Sequence, residues 1–290
     1  MKLPIKTCKF VIVILVLSCV GTLYGLEKLD RGLIALPYAD GNVYIGWRLL
    51  ISDPPDVAFD VLRCSEPNGE FEKLNSSPVK DSCNFVDKKA EGKSWYYIVR
   101  SLSDNTRLTD SEPIKSQSGE TNETCVTFKL RGDYGANKLG IADLDGDGVY
   151  DYIIKQPAAS IDPGRQRRSR GTYTIEAYNG RTGEFMWSHD LGWNINQGIW
   201  FSPVIVYDLD GDGRAEVACK SAPYAATAEE AFISTGGFVL EGPEYCSVLD
   251  GMTGKETDKV DWIARGNPED WGDDRGNRVN RNQIAVAYTF

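Results

Sequence analysis

The stretch from Asp143 to Asp151, DLDGDGVYD, recurs from Asp208 to Glu216 as DLDGDGRAE. Each copy sets carboxylates at positions 1, 3, 5 and 9: Asp143, Asp145, Asp147 and Asp151, then Asp208, Asp210, Asp212 and Glu216. A tight loop that turns alternate side chains inward builds a cage for a hard cation, and Ca²⁺ takes about six to eight oxygen ligands in a flexible shell. An EF-hand starts in the same way but needs a bidentate Glu at position 12 and helical flanks. Position 12 here is Ile154 in one copy and Cys219 in the other. The flanks LGIADLD, YDYIIK, PVIVYDLD and AEVACK are short and rich in β-branched residues, which predicts strands. Both loops therefore read as strand-loop-strand calcium sites. The plainer alternative is an Asp-Gly hairpin turn without metal, but turn chemistry alone does not call for an acid at the ninth position of both copies.

Working outward, each loop belongs to a longer repeat. The first predicts strands in LGIAD, YDYIIK, TYTIEAY and EFMWSHDL, and the second in PVIVYD, AEVACK, EYCSVLD and ETDKVDWI. The hairpin between the last two strands repeats as well, NGRTGE against DGMTGK. Four antiparallel strands per repeat describe a propeller blade. A third copy opens at Asn282 with NQIAVAYTF, where the sequence stops. Propellers close with about four to eight blades, so two blades and a strand would leave an unpaired edge and an open apolar face. The expectation is a fragment, or the truncated product of a longer gene.

Residues 27–118 carry a different pattern: LIALPY, VYIGWRLL, AFDVLRC, FEKLN, CNFVD, SWYYIVRSL and EPIKS, separated by turn clusters. Such closely spaced short strands fit a small β-sandwich of the fibronectin type III kind, with Trp47 and Trp95 as core candidates. The chain is thus expected to be all-β, a fibronectin type III-like β-sandwich followed over residues 131–290 by part of a calcium-binding β-propeller.

Lys2, Lys6 and Lys9 precede an apolar run from Phe10 to Val20, with Gly21 and Gly25 beyond it. This reads as a secretory signal peptide over residues 1–25, since a membrane span needs about 20 apolar residues. The expected location is secreted or periplasmic; Cys19, after Val16, Leu17 and Ser18, offers a lipoprotein cleavage site as the weaker alternative. Beyond the leader stand Cys64, Cys83, Cys125, Cys219 and Cys246, an odd number, with Cys64–Cys83 and Cys219–Cys246 as the pairs to test.

The formal net charge is −10. No basic stripe is broad enough to neutralise a phosphate backbone, which argues against a nucleic-acid partner. One cationic cluster stands out, Arg165, Arg167, Arg168 and Arg170, in a Pro- and Ser-containing loop. It is either a solvated loop or a clamp for a polyanion, and the guanidinium fork suits the carboxylates of a polyuronate. His189 is the single histidine, which removes ordinary Ser-His-Asp triads and multi-histidine zinc sites. In MWSHDL it reads as a strand residue without a catalytic part.

The second half resembles the rhamnogalacturonan lyases of polysaccharide lyase family 11. The likeness rests on GANKLGIADLDGDGVYDYIIK, TYTIEAYNGRTGEFMWSHDLGWNINQGIW, VYDLDGDGRAEVACK, FVLEGPEY and RNQIAVAY; FDVLR and NFVD match the family's amino-terminal β-domain. The resemblance implies an eight-bladed, Ca²⁺-bound propeller behind a fibronectin-like domain, and cleavage of the galacturonate-rhamnose backbone of pectin, rhamnogalacturonan I, by β-elimination. It makes Asn137 a sugar-contacting residue. Many members carry an acid where this chain has Pro157. The family's catalytic cations and aromatics come mostly from later blades, so the resemblance assigns no catalytic residue here. Lys155 and Lys220 occupy the same place in the two repeats, which favours a structural role for both.

β-Elimination requires neutralising the uronate carboxylate, stabilising the enolate and supplying a base, and Ca²⁺, Arg, Lys or Tyr can share these tasks. A second reading is a non-catalytic carbohydrate-binding or adhesion module, since other propellers use Asp-rich calcium loops too. GWNINQGIW and LEGPEY lie outside those loops and favour the lyase. A third is a degenerate remnant without a function of its own.

Overall fold

The computed structural model describes residues 29–116, 127–158, 169–198, 201–232, 239–272 and 278–287. Its strands run from β1 (Ile34–Tyr38) to β16 (Glu256–Asp261). The expected signal segment, Cys19, Cys125 and the cluster Arg165, Arg167 and Arg168 lie outside the described residues.

The first half is a two-sheet sandwich. One sheet orders β1, β2 (Asn42–Gly46) and β5 (Asn84–Asp87). The other orders β4 (Glu72–Lys73), β3 (Ala58–Cys64), β6 (Tyr96–Ser103) and β7 (Thr106–Asp110), with β8 (Ile114–Lys115) also paired to β6. Alternate residues of β2, β3 and β6, namely Val43 and Ile45, Phe59 and Val61, Tyr97 and Val99, point into one core. Trp47 closes it edge-on to Phe59 with ring centroids 5.3 Å apart, and Trp95 packs at its margin under the Arg63 guanidinium, 4.4 Å from the ring. Strand β7 is not among the strands expected from the sequence, because its residues are mostly exposed and carry no alternation. Its two-residue turn is Asp104 and Asn105, both at positive φ, the backbone that a tight hairpin demands. The strand read through VYIGWRLL stops at Gly46.

The second half forms two four-stranded antiparallel sheets. β9 (Lys138–Ala142), β10 (Asp151–Gln156), β11 (Thr174–Tyr178) and β12 (Phe185–Asp190) make one. β13 (Val204–Tyr207), β14 (Glu216–Ser221), β15 (Tyr245–Leu249) and β16 make the other. All eight strands expected for the two repeats are present. Each sheet carries a bulge at the same place, between Ala177 and Tyr178 and between Val248 and Leu249, just before the repeated hairpin. Among residues 281–287 no strand forms, so the third copy does not pair within the described residues.

The two sheets stack face to face. Ile153, Ile175, Ala177 and Trp187 of the first meet Val217, Cys219 and Leu249 of the second. Along β9, Gly140 allows the close approach, because a Cβ there would strike Val206 of β13. The Trp187 Nε1 donates to the Gly251 carbonyl at 2.7 Å, locking the second hairpin onto β12. Lys155, 1 % exposed, crosses the same interface and donates to the Ser202 backbone oxygen at 2.8 Å and its Oγ at 2.7 Å. Lys220 reaches Asn282 in the equivalent direction, at 3.4 Å.

The register corrects one expected pairing. Cys219 lies opposite Ser247, whereas Cys246 lies opposite Lys220. Residues directly opposed share a face and their neighbours take the other, so Cys219 and Cys246 point to opposite sides of the sheet. Cys64 and Cys83 are free thiols as well.

Replacing Trp187 with Ala removes a buried ring and a hydrogen bond, and is expected to cost about 3–5 kcal/mol in urea unfolding. A second prediction concerns Lys155, whose ammonium is pulled down to about 7 by burial, with Lys138 nearby adding like-charge repulsion. Between that value and the usual lysine range the unfolded chain holds one more proton, so stability rises with pH across this window. The slope for a full proton is about 1.4 kcal/mol per pH unit. Lys155→Met is expected to remove that slope, measured by urea midpoints at several pH values from neutral upward. Parallel pH profiles for the two proteins would contradict it.

Candidate functional site

Each acid loop joins the first two strands of its sheet, β9 to β10 and β13 to β14. The turn is possible because Gly146, Gly148, Gly211 and Gly213 all sit at positive φ. The first acid of each loop collects backbone amides in the same pattern. Asp143 accepts from Gly146 and Gly148, both at 2.8 Å, and Asp208 from Gly211 at 2.7 Å and Gly213 at 3.0 Å. The ninth acid accepts the amide of the second residue: Asp151 from Leu144 at 2.9 Å and Glu216 from Leu209 at 2.8 Å.

The loop also seats the hairpin of its own repeat. Asp151 accepts from the Gly180 amide at 2.7 Å, and Asn179 donates to Asp145 at 3.0 Å. A Cβ on Gly180 would strike the Tyr150 carbonyl, and one on Gly251 the Ala215 carbonyl, so both hairpin glycines are required by close backbone contact.

Oxygens of Asp143, Asp145 and Asp151 lie within 4.8 Å of one another, and so do those of Asp208, Asp210 and Asp212. These two groups have the donor set and the compactness that a metal ion needs. Burial is the largest influence on the protonation of Asp143, Asp151 and Glu216. It pushes Asp143 up against the pull of its amide bonds, and it raises Asp151 and Glu216 to about 6, with neighbouring carboxylates adding to the shift. The remaining acids stand aside from the two groups. Asp147 is held by Arg181, whose Nε lies 2.9 Å from its Oδ2, and Glu216 is turned toward Leu209.

Asn137 sits at the start of β9, its amide bonded to the Lys155 carbonyl at 2.7 Å. Its Oδ1 is buried without a hydrogen-bond partner, and its Nδ2 is 3.5 Å from the Tyr173 hydroxyl. The next residue, Lys138, lines a cavity of about 180 Å³ together with Leu139, Gly140, Ile153, Lys155 and Val204. Burial lowers the Lys138 ammonium too. A buried carbonyl lacking a donor suits a ligand hydroxyl, with Lys138 as the nearby cation, Lys155 being taken up by Ser202.

Of the arginine cluster, Arg170 is described, and its backbone amide donates to Gln197 at 3.0 Å. The motif GWNINQG that singled out the lyase reading is a buried linker between the sheets. Asn194 is pinned by the Pro223 carbonyl at 2.7 Å and the Phe232 amide at 2.7 Å. In LEGPEY, Glu244 lies 2.8 Å from Lys220 and 2.7 Å from Arg265. His189 lies on β12, 3.1 Å from the Gly254 carbonyl. No helix among the described residues is long and apolar enough to cross a membrane.

Two family profiles cover this architecture. "Rhamnogalacturonan I lyases beta-sheet domain" matches residues 24–116, and "Rhamnogalacturonan lyase family 11, C-terminal domain" matches residues 111–289. The rhamnogalacturonan endolyase YesW of Bacillus subtilis (strain 168) is 35% identical over 289 residues, which is 92% of this chain and 44% of the relative. The rhamnogalacturonan exolyase YesX of the same organism is 32% identical over 279 residues, 91% of this chain and 44% of the relative. The crystal structure of YesW superposes with a TM-score of 0.73 at 36% identity, over 89% of this chain and 46% of that one. A Bacillus licheniformis rhamnogalacturonan lyase PL11 gives 0.72 at 36% identity, with the same coverage of 89% and 46%. The chain therefore spans less than half the length of these relatives. With both halves matched in order, and the acid loops inside the larger match, the chain belongs to rhamnogalacturonan lyase family 11.

Proposed function

We propose that this chain is part of a calcium-dependent, exported rhamnogalacturonan lyase that cuts the galacturonate-rhamnose backbone of pectin by β-elimination. What supports the reading is similarity to an endolyase and an exolyase of that polymer along more than nine-tenths of the chain. In the reaction a base takes the proton alpha to the uronate carboxylate, a carbon-carbon double bond forms, and the glycosidic oxygen on the β carbon leaves. Cations offset the carboxylate and the developing enolate. The chain's own part is to bind and orient the sugar, with Asn137 as the contact and Lys138 as a nearby cation. Arg165, Arg167 and Arg168 remain a proposed clamp for the polyuronate. The two stacked sheets are proposed to be the first blades of a closed, eight-bladed propeller. The proposed boundaries are a leader over residues 1–25, a sandwich over 27–118 and a partial propeller over 131–290.

In this reading each acid loop holds one Ca²⁺. Asp143, Asp145, Asp147 and Asp151 would hold the first ion and Asp208, Asp210, Asp212 and Glu216 the second. The ion supplies the positive charge that the crowded carboxylates lack.

Two results are expected. Protein extended to the length of its relatives should release unsaturated uronates from rhamnogalacturonan I, read by ultraviolet absorbance; a folded, calcium-loaded enzyme that leaves the polymer intact would refute the lyase. Stripping calcium from the present chain with EDTA should lower its melting temperature by at least about 5 °C. A site filled at a hundred times its dissociation constant contributes about 2.7 kcal/mol, and each kcal/mol moves a protein of this size by about 2–4 °C. Superimposable melting curves with and without chelator would remove the metal from the account.

A further inference from the structure

The sandwich meets the first repeat sheet along a cleft of about 580 Å³, separate from the Asn137 corner. Its two walls belong to different halves of the chain. Arg48, Tyr96 and Lys115 come from the sandwich, and Tyr150, Tyr152 and Arg181 come from the sheet beside the first acid loop. The walls are tied by the Asp30 amide, which donates to the Gly148 carbonyl at 2.9 Å.

Cationic groups outnumber acids in this lining, where Asp30 and Glu112 are the carboxylates. Of the cations, Arg31 is fully engaged, forked onto Asp53 at 2.5 and 2.6 Å. Arg48 is not. Its guanidinium lies over the Tyr150 ring, 4.5 Å from the centroid, and its Nη2 is a long 3.6 Å from Asp30. Its Nη1 is buried and makes no hydrogen bond. Gly32, at φ +52, makes room for it, because a Cβ there would occupy the space of the guanidinium. Across the cleft the Lys115 ammonium lies 5.7 Å from the Tyr96 centroid. Arg181 is half-exposed and shares Asp147 and, at 3.9 Å, Asp30.

Tyr96, Tyr150 and Tyr152, the last stacked on Phe128 at 4.9 Å on one face, stand among cations whose donors are incompletely used, and together they match one ligand chemistry. A pyranose presents an apolar C–H face that stacks on an aromatic ring, and a uronate adds a carboxylate that a guanidinium fork or an ammonium accepts. The volume falls within the range of small-ligand pockets, about 300–1,000 Å³. We propose that this junction cleft is a carbohydrate-binding subsite for a uronate-bearing oligosaccharide, held by Arg48 and Lys115 against the tyrosines. It would anchor the polymer away from Asn137, and it rests on the polyuronate reading above.

The test is calorimetric titration of the full 290-residue chain with trigalacturonate in calcium-containing buffer, with neutral galactotriose as the comparison. Binding of the acidic trimer is expected, with the neutral one at least about tenfold weaker. Arg48→Gln and Lys115→Gln should each weaken the acidic trimer by about tenfold or more. Lys115 sits on an exposed position of a short edge strand, so its variant keeps the test valid if Arg48→Gln disturbs the junction. Absence of binding, equal affinity for the neutral sugar, or unchanged affinity in Lys115→Gln together with a folded Arg48→Gln would overturn the proposal. Cleavage of rhamnogalacturonan by the extended protein without trigalacturonate binding here removes this subsite and leaves the lyase. Binding here without cleavage removes the lyase and leaves the subsite.

Discussion

Carboxylates crowded into nine residues repel one another, and the second half of the molecule is organised around holding them together. Backbone amides do the first part of that work, with Asp143 and Asp208 each gathering the amides of two glycines in their own loop. The ninth acid then reaches back to the second residue and closes the loop. In the first repeat that acid also grips Gly180, so the turn between β9 and β10 fixes the hairpin between β11 and β12. The second hairpin in turn receives Trp187 from the first sheet. Loop, hairpin and sheet stacking are thus one connected set of contacts, and the register of the eight strands follows from it.

The repeat made the second half legible. Two copies with the same acids, the same β-branched flanks and the same hairpin leave little freedom in where the strands run, and all eight formed where expected. Strand β7 was not legible, because an edge strand with Thr106, Arg107, Leu108 and Thr109 all exposed has no apolar alternation to announce it. The mismatch of Cys219 and Cys246 was hidden for a related reason: only the register says which face a residue takes. Asp147 looked like a ligand equal to its neighbours, yet Arg181, distant in sequence, competes for it. The junction cleft needs residues from both halves and has no local signature at all. GWNINQG was informative about family while being buried structure rather than reactive surface.

The open faces of the stack give physical content to the proposed propeller. Leu139 and Ile141 on β9 are exposed, as are Val260 and Ile263 at the far edge of the second sheet. Apolar strand residues left in water cost free energy, and further blades on either side would cover them. The lysine contacts point the same way, since Lys155 binds the segment leading into β13 and Lys220 reaches Asn282, beyond β16. Each sheet thus carries a buried amine that reaches the segment following it. Placed at this interface, Lys155 couples stacking to pH, because a buried ammonium is tolerated poorly and its neutral form well.

The second half depends on its acid loops, so the most direct measurement counts calcium in the purified, gel-filtered chain by elemental mass spectrometry. Two ions per chain are expected, falling to one when either Asp145 or Asp210 is changed to Asn, and to none when both are. A chain that retains no calcium at saturating concentration, or that keeps both ions in the double variant, would contradict it.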